Sequence, residues 1–376
     1  MISEKTLFSW LIFCIAFPPV KIIVNMSFLV FTLILVLKWS KVGYKSVRLD
    51  MIDKMGILFT VFIFISSLTT KNQQAPILTS LHFNHIYWLG LFVYLRRIPQ
   101  EFFPILVKSV FYGLVFLSFT YFVPLPKLDG FVVFPVIRER NVFTYQLVLL
   151  VPLAVQYIKG HNWQILFSFV FTIIALATDG RTGSVLVMIG VLPILISHKR
   201  ILVLLVLAIV SILYLESFNG VLQKAAPRLY STLSSGDLKD DTSWLYRMAM
   251  VQKGLIIVRE NPYVGSGLSS WRSYKVDSGE MLNSDVFDRI RNKSTNWSNI
   301  SPHNSYIQIL AEQGYIGFVI WLVFLTAIFF KAWIIYNQKK VWVIGLLTML
   351  IYLYVISSYQ SSITFLILAL ASNRKL

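Results

Sequence analysis

The chain has 376 residues, of which 56% are hydrophobic, 15% aromatic and only 14% charged, against about 25% charged residues in an ordinary soluble domain. A water-soluble fold cannot hide that much apolar surface, whereas lipid solvates it, so composition excludes a soluble globular class and leaves helices or a closed barrel. The formal charge of +17 arrives without a soluble module able to grip nucleic acid, and nucleic-acid binding is not expected.

The apolar runs mostly continue for about 14 to 22 residues, enough with their flanks for a hydrocarbon core of about 30 Å, and they lack the two-residue alternation of a membrane barrel. The expected fold is therefore all-α, a polytopic membrane helix bundle. In chain order the predicted spans are 7–20, 22–37, 55–68, 78–95, 102–123, 143–158, 163–178, 182–197, 201–215, 316–336, 341–355 and 361–372, about twelve in all. Residues 1–17 imitate a signal peptide, but no small-residue cleavage site follows, and Pro18, Pro19 and Lys21 lead into the next run, so a retained helix is expected. The two prolines also permit a re-entrant hairpin for the first pair, and the last span is short. Cys14 is the one cysteine and lies within the first run, so neither an intramolecular disulfide nor a thiolate cluster can be built.

Lysines and arginines in short loops resist translocation and so report orientation. With the N-terminus inside, the inner connections hold Lys38, Lys41, Lys45 and Arg48, then Arg96 and Arg97, Lys159, Lys199 and Arg200, Lys339 and Lys340, and finally Arg374 and Lys375. The opposite loops carry fewer cations, with Lys21, Lys71 and Arg181 each alone, while Lys127, Arg138 and Arg140 share a longer loop with Asp129 and Glu139. An even number of spans with both termini inside follows. One outer loop is far longer than a connector, dividing the chain into membrane helices over 1–217, a loop domain over 218–302 and membrane helices over 303–376. Within the loop, Ser243 can cap a helix over about 244–259, which Asn261, Pro262, Gly265 and Gly267 end.

The residues able to carry chemistry fall on the outer side. Arg181 sits in Asp179-Gly180-Arg181-Thr182-Gly183 between two spans, where the glycines admit a close approach and the next helix begins, so an anion can meet a guanidinium and a helix N-terminus together. An arginine at a span end can equally just anchor the helix in the interface. Arg247 lies near the start of the loop helix, where most arginines are merely solvated. Arg138 and Arg140 add cations on the same face, although Glu139 between them suits a local ion pair. His303 stands in Ser301-Pro302-His303-Asn304-Ser305-Tyr306, with Ser301 as N-cap and Pro302 as first helical residue. The positive end of that helix favours a neutral imidazole, which is what a general base needs, although a lone interfacial histidine is often structural. His82 and His85 share a helical face without a third ligand and read as structural. There is no His-Glu-x-x-His, Walker loop or Gly-x-Ser-x-Gly elbow, Asp237, Asp240 and Asp241 resemble a solvated turn, and neither a metal site nor a cofactor is expected.

In order along the chain, Gly180-Arg181-Thr182-Gly183, then Arg247 followed by Glu260-Asn261-Pro262-Tyr263-Val264-Gly265-Ser266-Gly267, then Pro302-His303-Asn304-Ser305-Tyr306 through Leu310-Ala311-Glu312-Gln313-Gly314 to Gly317, resemble the O-antigen ligase and O-antigen polymerase superfamily. The detailed resemblance runs from Arg181 to Gly317; the first half shares only its succession of spans. It implies a bacterial inner-membrane enzyme that takes a glycan from undecaprenyl diphosphate at the periplasmic face, with membrane lipid around it and no nucleotide sugar. It also implies functional roles for Arg181 and Arg247 on the substrate diphosphate and for His303 as the catalytic base. Arg138, Arg140 and Asn304 stand beside these as secondary candidates, outside what the resemblance itself assigns. A ligase passes the glycan to lipid A core, whereas a polymerase passes it to a lipid-linked glycan acceptor. The loop and helix pattern favours the ligase slightly. A polysaccharide or lipid-carrier transporter is the alternative of another class, for which ionisable groups or broken helices near mid-membrane are the expected mark.

Overall fold

In a computed structural model of the chain, the described residues are 3–17, 21–42, 49–69, 80–122, 140–155, 158–178, 181–196, 242–274, 302–334, 340–353 and 361–373. They form twelve α-helices and no strand: α1 (Glu4–Ala16), α2 (Lys21–Val42), α3 (Met51–Thr69), α4 (Ser80–Leu95), α5 (Phe103–Phe122), α6 (Arg140–Ala154), α7 (His161–Ala177), α8 (Arg181–Ile196), α9 (Thr242–Glu260), α10 (Ser305–Ile334), α11 (Lys340–Leu353) and α12 (Ser362–Ala371). Helix α9 is the expected loop helix, although it begins ahead of Ser243, which lies in its first turn and does not cap it. The remaining eleven coincide with predicted spans; the ninth span, 201–215, and most of the long loop lie outside the described residues.

Apolar residues cover both the packed and the outward faces. On α10, Trp321, Phe324 and Ile328 are buried, whereas Val319, Val323 and Phe330 are exposed; on α2, Phe31 and Ile34 are buried beside exposed Phe28, Leu33 and Val36. A helix apolar all round belongs in lipid or a large core. Among the described residues, three helical segments are long and apolar enough to cross a bilayer: Met51–Thr69, Gln100–Phe122 and Ser305–Ile334. Helices α1 and α12, with 13 and 10 residues, reach only about 20 Å and 15 Å, shorter than a hydrocarbon core of about 30 Å.

Polar contacts gather at two opposite ends. At one, Asp50 and Asp53 cap α3 reciprocally, each accepting the other's backbone N–H at 3.0 Å. Arg96 forks onto Asp50 with two bonds of 2.8 Å and also binds the fully buried Asp53, which Arg97 binds as well. Arg96 further donates to the Ser372 hydroxyl at 2.9 Å, and Asn373 donates to the Leu95 carbonyl at 2.9 Å, so α3, α4 and the end of α12 are tied together there. Removing either partner of such a buried pair leaves an uncompensated charge. At the far end of α3 stand Ser66 and Ser67, beside the start of α10; α3 and α10 run antiparallel, with Gly317 against Phe62 and Gly56 against Phe324. Helices α6 and α8 run parallel, with Gly183 against Thr144 and Gly190 against Pro152, which brings both their N-termini to the same end.

Candidate active site

Helix α10 is broken at Gly314, whose φ of 64° and ψ of −172° are open only to glycine. The break frees four backbone groups, and the Asn261 to Gly267 turn after α9 satisfies all of them. Tyr315 N–H donates to the Pro262 carbonyl at 2.7 Å and Ile316 N–H to that of Tyr263 at 3.2 Å, while the Ala311 and Glu312 carbonyls accept from Ser266 N–H at 3.0 Å and Gly267 N–H at 2.8 Å. The two backbones lie too close for side chains: a Cβ on Gly265 would strike the Glu312 carbonyl, and one on Gly314 the Tyr263 carbonyl. Two glycine-containing stretches that are about fifty residues apart thus form one stitched element.

That element sets α9 alongside the first turns of α10. Gly254 faces Ile307, and Ala249, Met250, Ile257, Val258, Trp271 and Tyr274 close a small core on Ala311. The same register brings Arg247 to the level of His303. His303 precedes α10 in a left-handed conformation, φ 50°, which histidine adopts more readily than most residues. Helix α10 begins at Ser305, and its cap is Asn304, whose Oδ1 accepts from Tyr306 N–H at 3.0 Å and Ile307 N–H at 3.1 Å. This corrects the expected Ser301 cap with Pro302 as first helical residue: Pro302 and His303 stand outside the helix because the asparagine carbonyl reaches two orphan N–H groups. Burial, and then the positive charge of Arg247, hold the His303 imidazole below its ordinary pKa. The neutral, proton-accepting form therefore prevails, for a cause other than the helix end invoked from sequence alone.

Arg181 is the first residue of α8, and Arg140 the first of α6. The parallel register of these helices sets the two positions at the same end, and it joins them to α10 through a layer of buried hydroxyls. Thr144, which touches Gly183, shares a hydrogen bond of 2.9 Å with the Tyr352 hydroxyl; Tyr145 stacks on Tyr352 at 5.3 Å between ring centroids and bonds Thr364; and Tyr306 donates to the Leu350 carbonyl at 2.8 Å. Arg138 lies outside the described residues. His85 packs edge-to-face between Phe59 and Phe365 within the bundle, in keeping with a packing role.

Reading the sequence missed Lys253, Ser66, Ser67 and the tyrosine layer, because nothing in an apolar run announces which hydroxyls will meet. Lys253 is wholly buried in α9, donates to the Trp271 carbonyl at 2.8 Å and lies 5.4 Å from that indole ring. Burial lowers its pKa from 10.5 to about 8. Between those values the unfolded chain holds the proton that the folded chain has released, so stability attributable to this group rises with pH across the window. Thermal unfolding of wild type and Lys253→Met at pH 7.5 and pH 10 should show the wild type gaining relative to the variant by at most about 3 kcal/mol.

Residues 166–322 match the family model described as O-Antigen ligase. A comparison with curated proteins finds no match. The matched segment contains α8, α9, the stitched break and the first turns of α10. That segment of a chain rich in apolar, membrane-span-like helices is similar to the O-antigen ligase family.

Proposed function

We propose that the chain transfers a glycan from undecaprenyl diphosphate to an acceptor sugar hydroxyl on lipid A core, at the periplasmic face of the bacterial inner membrane, as a multi-pass enzyme whose loop domain over 218–302 covers the site. The observation that carries this reading is the pairing of His303, kept neutral by burial and by Arg247, with that same arginine inside the family-matched segment. The anomeric carbon of such a donor already bears a good leaving group. Arg181 and Arg247 neutralise the charge that grows on the departing diphosphate through charge-assisted bidentate bonds, so no metal ion is called for. His303 takes the proton of the attacking hydroxyl as the bond to the diphosphate breaks on the opposite face, which inverts the anomeric configuration. Asn304 holds the turn that presents His303, and Arg140 and Arg138 supply further positive potential.

A broken membrane helix is also a mark of transporters, and α10 is broken. Its break, however, is at residue 314 of a helix spanning Ser305–Ile334, and the unbroken stretch that follows is still about 30 Å long. With that stretch spanning the bilayer, the break falls at its boundary rather than at mid-depth, which supports the reading of an interfacial enzyme over a transporter. The test is purified protein in liposomes with undecaprenyl-diphosphate-linked glycan, with and without lipid A core. Glycan on lipid A core supports the ligase, lengthened carrier-linked glycan in its absence points to the polymerase, and no transfer in either vessel overturns both.

A further inference from the structure

Helix α3 contributes nothing to the family-matched segment, yet its outer end is bound into the site. The hydroxyl of Ser66, fully buried, lies 2.6 Å from the Val264 carbonyl and 2.9 Å from the Glu312 carbonyl, one from each side of the stitch between α9 and α10. A hydroxyl has a single proton, so it is shared between the two carbonyls and holds them at one spacing. The adjacent Ser67 accepts from Leu268 N–H at 3.0 Å and donates to the Ile63 carbonyl at 3.0 Å. At its other end α3 is fixed by Asp53, bound to Arg96 and Arg97. The helix is thus anchored at both ends, and the free movement of the stitch relative to the bundle is removed by two serines far away in sequence.

We propose that Ser66 is a positioning residue of the transfer site: by holding Val264 and Glu312 on one hydroxyl, it sets the distance between Arg247 on α9 and His303 at the start of α10. This rests on the glycan-transfer reading for its catalytic consequence, but not for its geometry. The backbone bonds of the stitch survive loss of the hydroxyl, so the protein folds without it; what goes is the shared point that keeps the two strands of the stitch in register with α3. Arg247 then recedes from the imidazole, and a charge that falls off with distance acts on it more weakly. Tyr306, the second residue of α10, keeps its own bond to Leu350 and stays in place.

The experiment is histidine-labelled NMR of the full chain in lipid nanodiscs, with the His303 signal assigned by its loss in His303→Asn. In wild type His303 should titrate below an ordinary histidine; in Ser66→Ala its midpoint should rise by about half a pH unit, with Ser66→Thr restoring it. In the transfer assay, kcat of Ser66→Ala should fall about tenfold and KM for the donor should rise with it, because Arg247 is also assigned to the diphosphate, whereas Ser66→Thr should restore both. A His303 midpoint that is the same in Ser66→Ala and wild type overturns the proposal. Should Ser66→Ala not purify as folded protein, Ser66→Cys, whose thiol is a weaker donor, must give the same upward shift, and an unshifted midpoint in it is equally decisive against. Absence of transfer by wild type would sink the glycan reading alone, because the titration is read without turnover.

Discussion

Glycan transfer by His303→Asn falls by about 100-fold to 10,000-fold, the usual contribution of a positioned general base, while the protein remains folded. Asparagine is the substitution that isolates the chemistry, because it tolerates the left-handed backbone that His303 adopts at φ 50°; a β-branched residue there would add strain to the loss of the imidazole. Donor binding should change little, since the diphosphate is assigned to the two arginines. The pH dependence carries the same message with a definite sign. A base works in its neutral form, and burial together with Arg247 lowers the pKa of this one. Activity of wild type should therefore be flat through neutral pH and decline only once pH falls beneath the ordinary histidine range. In His303→Asn the residual rate should lack that acid limb, and in Arg247→Gln, freed from the neighbouring charge, the limb should move upward. Initial rates of transfer between pH 4.5 and 8 decide the matter; an acid limb that persists unchanged in His303→Asn would remove His303 from the reaction.

Gly314→Ala should be strongly destabilising. The backbone there occupies a region essentially reserved for glycine, where another residue costs about 1 to 3 kcal/mol, and the added methyl would strike the Tyr263 carbonyl. Relief requires the strands of the stitch to part, which gives up part of four backbone hydrogen bonds worth about 1 kcal/mol each. The expected loss is about 3 to 5 kcal/mol, with transfer abolished because Arg247 and His303 no longer face each other. Gly345→Ala in α11 is the control: no atom lies within 4 Å of the added methyl, and helix propensity favours it by about 0.5 to 1 kcal/mol. Thermal unfolding followed by tryptophan fluorescence, with limited proteolysis of the loop, compares the two. Equal melting temperatures would show that the stitch carries no strain-sensitive structure.

The sequence made some of this legible. Long apolar runs announce helices because every backbone group must be satisfied inside lipid, and ten predicted spans coincide with helices to within a few residues, while an eleventh, 316–336, lies within a helix that begins earlier. The two ends of α10 illustrate the limit. Apolar continuity located the stretch from residue 316 onward, and the cap pattern at Ser301 and Pro302 announced a helix running into it, which residues 305–313 form; neither showed the break at Gly314. Ser301 and Asn304 are both good caps by residue type, and only the geometry around His303 chose Asn304. Glycines at 265, 267 and 314 could be seen as turn formers, yet nothing in their spacing says that one turn will be threaded against another helix.

By itself, then, the amino-acid sequence determined the helical class, the apolar character of the bundle, the O-antigen ligase likeness of residues 166–322, and the residue types able to hold a diphosphate and accept a proton. Those follow from local periodicity, composition and motif, which are properties of neighbours along the chain. Only the tertiary structure decided that α9 is stitched into a break in α10, that Arg247 bears on His303, and that Ser66 from the first half holds both strands of the join. These depend on hydrogen bonds between residues roughly 50 to 250 positions apart, and the backbone groups that form them are the same in every residue, so no side-chain pattern encodes which carbonyl each will find.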